Sequence, residues 1–99
     1  MTWRGPDLAL LRGMPRISTF FGIVISMYYE DHLPPHFHAT YAGCRAAIRI
    51  DTLEILRGSL PRRALALVAE WALLHRPELV ADWDRARHLQ PLESIPPLD

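Results

Sequence analysis

Residues 31–40, "DHLPPHFHAT", hold three of the chain's five histidines, His32, His36 and His38, beside Asp31 and around a Pro34–Pro35 step. "HFHATY" alternates with period two, so His36, His38 and Thr40 share one side of an extended segment and Phe37, Ala39 and Tyr41 the other. Two residues apart on a strand, the two histidines stand about 6.5 Å from Cα to Cα, with side chains on a common face. Imidazoles so placed lean together and form half of a metal site, each bonding an ion at about 2.0–2.1 Å. A divalent metal such as zinc needs further ligands. His32 is the nearest addition; Asp31, Glu30, Glu70 and His75 are others, and spacing alone chooses none of them.

The same residues fit acid–base chemistry, because an imidazole titrates near neutral pH. His36 and His38 beside Asp31 would act as base and acid on a phosphoester, as in a ribonuclease, with Arg45 or Arg49 holding the phosphate. No phosphate loop, nucleophile motif or paired carboxylate accompanies them, and Cys44 stands alone. A third reading is structural: the histidines close the loop after Tyr29, Asp31 caps the turn, and the prolines stiffen it.

The elements that must position these residues follow from patterning. Ile17 to Tyr29 reads as one strand with a strongly apolar face, and Gly22 marks a bulge or an approach of another backbone within it. "HFHATY" is the second strand, "AGC" a hairpin turn, "RAAIRI" the third strand with Ala46, Ile48 and Ile50 inward, and "TLEIL" a short fourth ending at Gly58. Then "SLPRRALALVAEWALLH" repeats Ala64, Leu65, Val68, Trp71, Ala72 and His75 at helical spacing, capped by Ser59 or Leu60. "PELVADWDRARHL" is a second helix from Pro77, with Leu79, Trp83 and Ala86 as its stripe and Asp82–Arg85 as a surface pair. Leu92, Ile95 and Leu98 would dock the tail. The expected class is α+β: a small antiparallel meander of three to four strands, then two helices on one face and an extended C-terminal tail.

Ninety-nine residues with 49% apolar content make one domain with one core. Residues 1–13 read as an N-terminal extension, either poorly ordered or docked as a short helix through Leu8, Leu10 and Leu11, and residues 14–99 as a single α+β domain. The N-terminus does not read as a signal peptide, and no apolar run is long enough to span a membrane. One cysteine precludes an internal disulfide and fits a reducing cytosol. Eleven cations balance eleven anions, so no global charge favours nucleic acid. All the cations are arginine.

The segments "MPRISTFFGIVISMYYEDHLPPHFHA", "LEILRGSLP", "EWALLH", "ELVADW" and "PLESIPPL" resemble the bacterial family called domain of unknown function 4160, from Met14 to the C-terminus. The resemblance implies a small cytoplasmic bacterial protein that pairs with another small protein in a setting like a toxin–antitoxin module. It implies no cofactor or catalytic residue. The leading expectation is therefore an interaction module that binds a second small protein or itself. The alternative is a histidine- or metal-dependent enzyme acting on nucleic acid or a phosphoester.

Overall fold

The computed structural model describes residues 15–99. The expected extension, its helix through Leu8, Leu10 and Leu11, and the domain start at Met14 lie outside the described residues. Five strands are followed by two helices: β1 (Arg16–Phe20), β2 (Ile23–Ser26), β3 (His36–Tyr41), β4 (Cys44–Arg49), β5 (Ile55–Gly58), α1 (Arg62–Leu74) and α2 (Arg76–Arg87). The strands form one antiparallel sheet in chain order. The class is α+β, with one strand more than patterning predicts.

The extra strand comes from "FFG". Phe21 at φ 49 and Gly22 at φ 79 are the two central residues of a tight turn, and Phe20 pairs with Ile23 across it. Positive φ at both positions is the two-residue hairpin geometry whose twist matches the flanking strands. The usual signal is Asn-Gly or Asp-Gly. A phenylalanine in the first position hid the turn inside an apolar run, so the bulge expected at Gly22 is a hairpin. Ala42 at φ 48 and Gly43 at φ 83 repeat the device between β3 and β4, and Cys44 opens β4.

One face of the sheet is apolar. Ile17, Ile23, Ile25, Met27, Phe37, Ala39, Ile48 and Ile50 are almost fully buried there, with Val68, Trp71 and Leu79 of the helices in the same core. Trp71 is the central piece, its ring 5.3 Å from that of Phe20 and 6.0 Å from that of Phe37. The tail docks as expected. The Ile95 N–H donates to the Ile17 carbonyl at 2.7 Å, and Trp71 Nε1 donates to the Pro96 carbonyl at 2.9 Å.

The caps expected for α1 are absent. The Ser59 N–H donates to the Arg45 carbonyl, so the chain is still held to the sheet there. Gly58, at φ 77, lies so close to that carbonyl that a Cβ would fall 2.0 Å from it. The helix starts only after Pro61, whose ψ of 147° is extended, and no side chain caps it. Asp82 also departs from expectation. It pairs with Arg85 at 2.7 Å, but it is fully buried and accepts the Glu93 N–H at 2.9 Å, tying the tail to α2. It is a structural anchor, not part of a solvated charge face.

Candidate metal centre

β3 places His36 and His38 on the side of the sheet opposite Phe37, as alternation requires. Their rings stand 5.1 Å apart and both residues are buried. The loop from Glu30 to Pro35 folds back over them. It is pinned at one end by the Glu30 N–H on the Ala86 carbonyl and at the other by the Ile50 N–H on the Pro35 carbonyl. That return brings Asp31 onto the pair. One oxygen, Oδ2, lies 2.9 Å from His36 Nε2 and 3.2 Å from His38 Nε2.

These two approaches differ in kind. The His38 contact has hydrogen-bond geometry. The His36 contact does not, and His36 Nε2 is a buried nitrogen with no hydrogen-bond partner. The other ring nitrogen explains its state: Nδ1 lies 2.7 Å from the Pro34 carbonyl, which can only accept, so Nδ1 carries a proton. In the neutral ring Nε2 then presents a bare lone pair. A lone pair aimed past a carboxylate oxygen 2.9 Å away is awkward for a proton and suits an ion shared by both atoms. Two ligands at about 2.0–2.1 Å from one ion stand about 2.9–3.4 Å apart for bond angles of 90° to 109°. The two Asp31–histidine separations fall in that interval, and all three ligand atoms lie within 4.8 Å of one another.

The surroundings keep the ligands in place. Trp83 of α2 lies against the His36 ring at 5.3 Å, and Tyr28 meets the His38 ring edge-on at 4.9 Å. Burial holds His38 below the ordinary histidine range against the raising effect of the Asp31 hydrogen bond, and the charges of His36 and Arg57 lower it further. Burial pushes Asp31 up, but the His32 N–H, the His38 hydrogen bond and the two imidazole charges together hold it below the usual carboxylate value. The bare forms, a neutral imidazole and a carboxylate, are those that bind a metal.

Of the residues singled out by sequence, Asp31, His36 and His38 are brought together. His32 is not. Its side chain is exposed, and its contribution to the site is the backbone N–H, 2.8 Å from Asp31 Oδ1. Glu30 and Glu70 are exposed. His75 pairs with Glu78 and lies against Trp71. Arg49 is engaged by Asp51. Arg57, Tyr28 and Trp83 were not foreseen as neighbours of the histidines. For Arg57 the signal was there to find, since alternation along the "ILRG" strand points it away from the core.

The family model for Domain of unknown function (DUF4160) matches residues 22–84. The chain belongs to this family. The matched stretch includes every residue of the cluster, all of α1 and α2 as far as Asp84. No curated protein and no solved structure matches the chain.

Proposed function

We propose that this member of the family is a divalent-metal protein with an open, catalytic-type centre held by Asp31, His36 and His38. The observation that carries the reading is the buried, unpartnered Nε2 of His36 directed beside Asp31 Oδ2. Its proton bookkeeping is set by the Pro34 carbonyl, the kind of outer contact that fixes a ligating histidine. Two nitrogens and one oxygen are a borderline donor set, suited to zinc and other first-row divalent ions. Three protein ligands leave a position for water or substrate, as in hydrolytic zinc sites, where the ion lowers the pKa of bound water and polarises the bond attacked.

The test is elemental analysis of protein purified without an affinity-tag metal. One equivalent of divalent ion per chain is expected, retained through dialysis and lost in His36→Ala and in Asp31→Asn. Absence of stoichiometric metal, with a melting temperature indifferent to both chelator and added zinc, ends this reading.

A separate observation supports pairing with a second small protein. At the far end of the sheet an open hollow of about 440 Å³ is lined by Phe21, Tyr41, Pro61, Ala64 and Leu67, and Phe21 is 58% exposed. Large exposed apolar rings at a hollow are common at protein contacts. Co-purification with the product of a neighbouring gene, abolished by Phe21→Ser, is the expected result; a chain that stays alone with each neighbour removes the reading.

A further inference from the structure

The sheet face that carries the histidines has an unbalanced charge that the whole-chain total conceals. The five strands contain four arginines, Arg16, Arg45, Arg49 and Arg57, and no aspartate or glutamate. Cross-strand pairing puts all four on this face: Arg16 is opposite Ser26, Arg45 opposite Thr40, Arg49 opposite His36 and Arg57 opposite Ala47. Trp83 of α2 reaches this face at His36, but no described helix residue borders the side of it that carries Arg45 and Arg57. Asp51 neutralises Arg49. Among the described residues no carboxylate is paired with Arg45 or Arg57.

One row across the sheet runs His38, Ala47, Arg57. Neighbouring strands are about 4.8 Å apart, so a buried imidazole and a free guanidinium are separated by the width of one small residue. The alanine leaves a hollow there of about 270 Å³, walled by Tyr28, His38, Arg45 and Arg57 and floored by Ala47. Its shape and charge suit a single tetrahedral anion held by two guanidinium groups, with the Tyr28 hydroxyl as an additional donor. The same His38 that lines this hollow reaches Asp31 on its other side.

We infer that the Arg45–Arg57 hollow is a phosphate subsite, and that it presents a phosphate ester to the adjoining Asp31–His36–His38 centre. The inference rests on the metal reading for its chemistry but not for its binding. The ligand class is a phosphate ester, either a small phosphomonoester or the diester backbone of a single strand of nucleic acid. The neutral total charge is no obstacle, because what a bound phosphate senses is the local field of the face.

The experiment uses the whole chain stripped of metal with a chelator and titrated by calorimetry with phenyl phosphate and, separately, with a short single-stranded DNA. Saturable binding of one probe is expected: phenyl phosphate alone identifies a monoester site, and the oligonucleotide a backbone site. Arg45→Gln and Arg57→Gln should each weaken it by about tenfold or more, since each removes a charged hydrogen-bonding partner. Both side chains are exposed, so the variants should keep the wild-type melting temperature. Arg49→Gln, whose partner is Asp51, should bind as wild type does. Asp31→Asn should lose metal without weakening the probe, so failure of the metal centre and failure of the subsite read out separately. Two results overturn the inference: no saturable binding of either probe, or wild-type affinity in either the Arg45 or the Arg57 variant.

Discussion

Phe37 and His38 are adjacent in the chain and almost equally hidden, at 0% and 5% exposed. They sit on opposite faces of the same strand, and their burial has opposite consequences. Phe37 leaves water for contact with Trp71, and the apolar area removed from solvent stabilises the fold directly. His38 gives up hydration of a polar ring, a loss offset by Asp31 and by the ring edge of Tyr28. One face of the sheet is thus where stability is made. The other is where buried polar atoms are held in a set geometry, one of them left without a partner. A domain that spends burial in this way on polar side chains is expected to use them.

The comparison is broken most severely by Phe37→Ala, which should cost about 3–5 kcal/mol of unfolding free energy, a large part of what a domain of this size has. Urea denaturation measures it. A loss as large from His36→Ala in metal-free protein would mean that both faces are core and that the histidines are scaffolding.

Metal removal comes next. Wild-type protein with zinc at about 100 times its dissociation constant should gain about 2.7 kcal/mol over the chelated form, seen as a higher melting temperature. His36→Ala and His38→Ala should show no such gain, while Phe37→Leu, if folded, should keep it. A zinc-dependent rise that survives loss of both histidines would place the ion elsewhere.

A smaller effect concerns pH in the metal-free protein. The lowered pKa of His38 means that below its ordinary value of 6.5 the unfolded chain binds the proton first, so stability falls as pH drops from there toward the folded value. Asp31, lowered from 3.8, contributes stability that is present above that value and lost below it. The urea midpoint should therefore decline from pH 7.5 to 5.5, and His38→Gln should remove part of that decline. An equal decline in the variant would assign it to the other histidines.

Smallest of all is Arg49→Gln. The Arg49–Asp51 pair is on the surface, and exposed pairs contribute little. No resolvable change in the urea midpoint is expected, and a clear loss would show that the polar face carries structural charge pairs after all.

The chain's local order determined a good deal of this protein. A period of two decides which side chains share a face, so the common side of His36 and His38 and the anchoring of Phe37 are properties of "HFHATY" alone. Helical spacing likewise announces Trp71 and Trp83, and proline and glycine mark the turns, except where a phenylalanine took the place of the usual asparagine at residue 21. Tertiary structure decided which partners arrive from a distance. Asp31 rather than His32 meets the imidazoles because the loop is pinned to Ala86 and Ile50, and Trp83 and Arg57 reach them across helix and sheet. Such contacts depend on pairing register and on packing between elements remote in sequence, and neither is encoded by the spacing of residues within one segment.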